Sequence, residues 1–186
     1  MNKLIAGLFA VAATAVLSGP ARAQIPHVTP FAVEARVGAA FPTGDFNDVA
    51  NTGVTLNGNV TAYVIPTLGI YAGYYYTRFG RPGAGHYTET GPEVGLRLDI
   101  PTPDVPLDPY VRAGLVWNRL ELTGAGAQDF SDSSPGFQIN AGVALSLGRV
   151  SLAPGFTYVR HTYDTNTDED QTASYIRADI GVRIRI

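Results

Sequence analysis

The sequence predicts an all-β fold, an eight-stranded antiparallel up-and-down barrel of the kind that spans a membrane. Three observations predict it. From residue 31 to residue 186 the chain breaks into eight runs in which apolar and polar side chains alternate with period two. The connections between those runs alternate between short and long. The polar face of the runs carries glycines and a few charges, where a solvated surface would favour lysine and glutamate.

The first 23 residues stand outside that pattern and read as a signal peptide. Lys3 supplies the positive start, Leu4 to Leu17 is an apolar stretch, and Ala21-Arg22-Ala23 is a cleavage site before Gln24. The apolar stretch is shorter than the roughly 20 residues that a spanning helix needs. The expected division is a signal peptide over 1–23 and one barrel domain over 24–186. Thirteen basic residues less Lys3 and Arg22 leave 11 arginines against 16 acids, a net charge of −5 for the exported chain. That balance argues against a nucleic-acid partner. With no cysteine, disulfides, thiol catalysis and Cys-bound zinc are excluded.

Each run justifies itself by its alternation. The first sets Phe31, Val33, Ala35, Val37, Ala39 and Phe41 against Glu34, Arg36 and Gly38. The second sets Val54, Leu56, Val60, Ala62 and Val64 against Asn57, Asn59, Thr61 and Tyr63; the third, Leu68, Ile70, Ala72, Tyr74 and Tyr76 against Gly69, Gly73 and Thr77. In the fourth, Val94, Leu96, Leu98 and Ile100 oppose Glu93, Arg97 and Asp99. The fifth opposes Val111, Ala113, Leu115 and Trp117 to Arg112, Gly114 and Asn118, and the sixth Phe137, Ile139, Ala141, Val143, Leu145 and Leu147 to Gln138, Asn140 and Ser146. The seventh, Val150 to Arg160, contains Pro154, which lacks a ladder donor, so a bulge is expected there. The eighth faces Ile176, Ala178, Ile180, Val182, Ile184 and Ile186 away from Arg177, Asp179, Gly181, Arg183 and Arg185.

Runs of about 10 residues suit strands tilted across a bilayer. Short joints follow the second and sixth runs and a Pro-rich one spans 101–109, while longer polar connections lie near 42–53, 78–92, 122–135 and 160–173. Short turns at one end and long loops at the other fit an outer-membrane barrel. The apolar face then meets lipid and the polar face lines a narrow interior. Phe41, Tyr76, Trp117, Phe137 and Tyr158 fall on the apolar face near the loop ends of five strands, where a membrane girdle of aromatic residues belongs.

The region 31–186 resembles the small eight-stranded outer-membrane β-barrels, the group of the opacity-type adhesins and the membrane domain of outer membrane protein A. The stretch Arg36 to Asp-Phe46 (RVGAAFPTGDF) looks like their first strand and loop, and the terminal alternating strand looks like theirs. The resemblance implies a bacterial outer-membrane location after Sec-type export. It also implies lipid, lipopolysaccharide and the barrel-assembly machinery as partners, and loops that meet a surface ligand or host protein. Such chains usually end in an aromatic residue; this one ends in Ile186.

The expected lumen charge network is Glu34, Arg36, Glu93, Arg97, Asp99, Arg112, Arg177, Asp179, Arg183 and Arg185. Six arginines cannot sit unpaired in a space that side chains just fill. They either pair with the acids as a plug, which the bidentate fit of arginine to carboxylate favours, or line an anion path. Closure should bring Arg183 or Arg185 beside Glu34. A structural or interaction role is expected, with a narrow pore or a carrier of small hydrophobic molecules as the alternative. A lipid A-modifying enzyme is a further alternative, centred on His161. Ser131, Ser133 or Ser134 could reach His161 only through folding, and no spacing supports a triad, so catalysis is not expected. The stretch Asp164 to Asp170 starts like a calcium loop but has Glu169 where the turn glycine belongs and Tyr175 where the chelating acid belongs. No metal or cofactor is expected.

Overall fold

A computed structural model describes residues 31–82, 85–124, 130–164 and 170–186. The expected signal peptide and the loop at 165–169 lie outside the described residues. Eight strands follow one another: β1 (Phe31–Thr43), β2 (Gly53–Ile65), β3 (Leu68–Gly80), β4 (His86–Asp99), β5 (Leu107–Thr123), β6 (Phe130–Leu147), β7 (Val150–Asp164) and β8 (Asp170–Arg185). Each pairs antiparallel with its chain neighbour and β8 returns to β1, so the sheet is a closed barrel in sequence order. Closure leaves no strand edge unpaired, which a sheet without edges in a membrane requires. Among the described residues no helix is long and apolar enough to cross a membrane.

The alternation lands as its polarity demands. Val54 is 61% exposed and Phe156 66%, while Arg97 and Arg183 are 0% and 1% exposed. Apolar side chains face out and charges face in, the reverse of a soluble barrel. The strands are longer than the expected ten residues, reaching 18 in β6. The extra length is at the loop end, where β4 starts at His86 and β5 runs on to Thr123. Antiparallel backbone pairing continues there after the apolar alternation has faded, so those segments look like loop in the sequence.

No bulge occurs at Pro154. The β7–β8 register is unbroken from Val150 to Asp164, and the β6–β7 register is the same on both sides of the proline. Ala153 and Pro154 simply have no paired partner in β6. The missing donor is absorbed as a skipped rung, with no inserted residue. The register shift that does occur lies between Tyr63 and Ile65, beside the tight turn into β3.

Between β1 and β2 the chain turns at Gly44, whose φ of +59° is a left-handed conformation that glycine adopts without strain. A single helical turn follows, α1 (Phe46–Val49), with Ala50 N–H donating to the Phe46 carbonyl at 3.0 Å. It carries Phe46 into the mouth of the barrel. There Phe46 meets Phe79 and Tyr87 edge-on, with ring centroids 5.2 and 6.0 Å apart, and Phe79 meets Tyr175 at 5.1 Å. Ala40, Ala50, Tyr75, Val116, Leu120, Val159 and Ala173 complete this buried cluster.

Candidate functional site: the lumen and its wall

The turn-end half of the lumen is filled by charge. Glu34 accepts from three arginines: Arg36, Arg97 at 3.1 Å and Arg112 at 3.3 Å. Arg36 also bonds Asp179, and its Nη2 donates to the Tyr110 hydroxyl at 2.9 Å and to the Ala153 carbonyl at 3.0 Å. From Arg97 the chain of contacts runs to Asp99 at 2.8 Å, and Arg183 joins Asp99 at 3.2 Å. From Arg112 it runs to Glu93 at 3.0 Å, then to Gln138 at 2.7 Å and on to Arg177 at 2.6 Å. Nine of the ten expected charged residues thus form one connected array. Arg185 stands apart from it, half-buried at the end of β8, with its backbone N–H on the Arg149 carbonyl at 3.0 Å.

Tyrosines are the part of this layer that alternation alone did not single out. The Arg97 guanidinium lies 4.1 Å from the Tyr110 ring centre, and that of Arg112 lies 4.0 Å from Tyr71. Stacked cations of this kind gain from the ring quadrupole most when water is excluded. Glycines make the room: a Cβ on Gly114 would sit 2.4 Å from the Tyr71 hydroxyl, and one on Gly142 would sit 2.5 Å from that of Tyr110. The space left among Arg36, Glu93, Arg112, Gln138 and Arg177 is a cavity of ≈ 10 Å³, about the room for one water.

Above this layer lies a second polar group, in which His161 and Ser134 were named from the sequence and Glu89 was not. Glu89 is fully buried and accepts from the hydroxyls of Tyr75 at 3.0 Å and Tyr175 at 2.8 Å. Its other oxygen lies 3.4 Å from Nε2 of His161. Nδ1 of His161 is 3.2 Å from the Ser134 hydroxyl. Glu89 comes from β4, Ser134 from β6 and His161 from β7, so only closure of the wall assembles them. Counting Glu89, five deeply set arginines (36, 97, 112, 177 and 183) share the described lumen with five carboxylates (34, 89, 93, 99 and 179).

The five aromatics expected in a girdle face outwards or partly so. Phe41, Trp117, Phe137 and Tyr158 are exposed, Tyr76 is half-buried, and Phe137 and Tyr158 pack at 6.1 Å. Among the described residues no group of His, Asp and Glu is placed to hold a metal ion. Residues 165–169 of the calcium-like stretch lie outside the described residues.

A closed eight-stranded barrel with an apolar outer wall and a charged interior is an integral protein of a bacterial outer membrane. The family model for the outer membrane protein beta-barrel domain matches residues 9–150, and the chain belongs to that family. Among solved structures it is similar to Neisserial surface protein A, at 20% identity and a TM-score of 0.71 over 84% of this chain and 97% of that one. It is similar also to the N-terminal β-barrel domain of OprF from Pseudomonas aeruginosa (14%, 0.53, covering 82% and 96%). A third is the attachment invasion locus protein Ail of Yersinia pestis (13%, 0.51, covering 83% and 99%). At these identities the likeness concerns the fold. No curated protein matches the chain by sequence.

Proposed function

We propose that the protein is a sealed outer-membrane barrel that acts as a structural and interaction platform, presenting its loops at the cell surface. The observation that carries this reading is the connected array from Arg183 through Asp99, Arg97 and Glu34 to Arg112, Glu93 and Gln138. Arg183, Arg97 and Arg112 in that line are each held by a carboxylate, and Arg177 beyond it is held by the Gln138 amide oxygen. The Phe46, Phe79 and Tyr175 cluster closes the other end with apolar rings.

In this reading the short turns and both ends of the sheet face the periplasm. The aromatic girdle then sits at the outer interface, and the loops meet lipopolysaccharide and surface partners. The solved Ail structure contains a heparin analogue, sucrose octasulfate. The fourth loop of this chain, with Asp164, Asp168, Glu169 and Asp170, has the wrong sign for such a polyanion. A basic or neutral surface partner, or lipopolysaccharide bridged by divalent cations, fits its charge better.

Recording current across planar bilayers holding the purified protein tests the seal. A flat trace at leak level is expected. Discrete current steps in the unmodified protein would overturn the sealed reading and favour the narrow pore.

A further inference from the structure

The loop end of β3 and β4 carries positive charge that the lumen array does not use. We propose that Arg78 and His86, on the outer wall at that end, bind a phosphate of lipopolysaccharide whose acyl chains lie along the wall below. This site rests on the reading that sets the loops at the cell surface, and it adds to that reading a defined lipid contact.

The rungs of the sheet place these residues. Ala39, Val54, Arg78 and Thr88 are successive cross-strand partners from β1 to β4, and Val54 and Arg78 are exposed on the outer face. His86 pairs with Gly80, one outward rung nearer the loop. The next rung towards the membrane is Val37, Leu56 and Tyr76, of which the first two are exposed and the third belongs to the girdle. Arg78 thus stands one rung outside the aromatic ring, at the depth where lipid headgroups meet their chains. A groove of ≈ 650 Å³ lies here, lined by Ala39, Val54, Arg78 and His86. It is basic at its loop side and continues into an apolar wall.

The pair offers donors alone. Nη2 of Arg78 lies 3.3 Å from Nδ1 of His86. A guanidinium has no acceptor, so Nδ1 accepts from it and the ring proton of His86 is on Nε2. What remains for a ligand is the other guanidinium N–H groups and that Nε2–H. An anion rich in acceptors matches them, and phosphate is the group to which the arginine fork is best fitted.

No acid competes for this arginine among the described residues. Arg119 stands two residues beyond Trp117 as Arg78 stands two beyond Tyr76, but Arg119 is held by Glu121 at 2.8 Å, whereas Arg78 makes no ion pair there. The local sequence has the same sign. Residues 78–88 (RFGRPGAGHYT) hold two arginines and a histidine and no acid, while the connections near 42–53, 122–135 and 160–173 all carry aspartate. In a chain with an excess of acids, this is the end of the wall that attracts an anion. The loop end faces the outer leaflet, and the phosphorylated lipid of that leaflet is lipopolysaccharide. Contact through Arg78 needs no bridging cation.

The test uses the folded exported chain in detergent micelles with EDTA present, and native mass spectrometry reads the lipid it retains. The probes are diphosphoryl lipid A, the same lipid with its phosphates removed, phosphatidylglycerol and inorganic phosphate. Retention of diphosphoryl lipid A is expected, with weaker retention of the other two lipids and none of inorganic phosphate alone. Arg78→Gln should weaken binding about 10-fold, the loss of one charge-assisted contact, and His86→Ala should weaken it as well. Unchanged heat-modifiable migration on a denaturing gel is the sign of an intact barrel. Arg160→Gln, at the same depth two residues beyond Tyr158 and four strands away, should bind as the unmodified chain does. Equal retention of the dephosphorylated lipid overturns the site, as does unchanged binding in folded Arg78→Gln. An equal loss in Arg160→Gln overturns it in favour of diffuse attraction to the whole rim, and equal retention of phosphatidylglycerol overturns the choice of lipopolysaccharide. None of these results bears on current across a bilayer, so the sealed reading stands or falls separately.

Discussion

Glu34 and Arg183 face one another as Cα partners across the seam between β1 and β8, yet their side chains part company. Arg183 turns to Asp99 on β4, and Glu34 gathers Arg36, Arg97 and Arg112. The seam pairing predicted from the last strand therefore holds for the backbone, while the charges are exchanged through Arg97, which touches both acids. Register puts neighbours side by side, but a narrow lumen lets long side chains reach the opposite wall.

Glu34 is accordingly the position on which the array depends. Glu34→Gln leaves three buried arginines short of one counter-charge, and breaking a buried pair in this way costs about 3–5 kcal/mol. Urea unfolding in detergent, followed through Trp117 as the single tryptophan, should show that loss. A change below about 1 kcal/mol, typical of exposed pairs, would mean the array contributes little to stability.

The outer wall should refuse charge. Ile180, exposed on β8 and paired with Val37, faces the membrane interior in this fold. Ile180→Arg should cost about 2–4 kcal/mol in a bilayer, as cations near the midplane of such barrels do. Asp45→Arg, in the first loop, should change the same unfolding curve little.

Space beside the lumen tyrosines is the third test. A methyl at Gly114 would collide with the Tyr71 hydroxyl and with the Val94 carbonyl, at 2.4 and 2.5 Å. Gly114→Ala should destabilise by about 1–3 kcal/mol, the usual range for overpacking. Gly58, around which an added Cβ meets nothing within 4 Å, is the matched control, and Gly58→Ala should be tolerated.

Ile186 gives a prediction about the seam. Its backbone N–H bonds the Phe31 carbonyl at 2.9 Å, and the residue is 67% exposed, so a larger ring fits there. Ile186→Phe should keep heat-modifiable migration and leave the urea midpoint unmoved. A lowered midpoint would show that the side chain at this end of the seam is constrained.

The architecture was legible because period-two alternation is a direct image of a wall with two different sides. Val33, Glu34, Ala35 and Arg36 declare their faces one by one. The tyrosines did not, since Tyr71 and Tyr75, inside, stand in the same run as Tyr74 and Tyr76, and all four are good strand residues. The Glu89–His161 contact joins residues far apart in sequence, on strand ends where alternation had faded into apparent loop. Seen alone, Ser134 was one of several serines, and only the pairing of β5, β6 and β7 sets it between Asn118 and His161.

The hydrogen bond from Ile186 to Phe31 also bears on timing. Until β8 arrives, β1 has an open edge and Glu34, Arg36, Arg97 and Arg112 have no enclosed space in which to pair. The sheet can enclose its charges only as a finished ring. Before that point the chain carries unpaired strand edges, at which sheets readily pair with the wrong neighbour. Closure is thus a checkpoint as well as a shape.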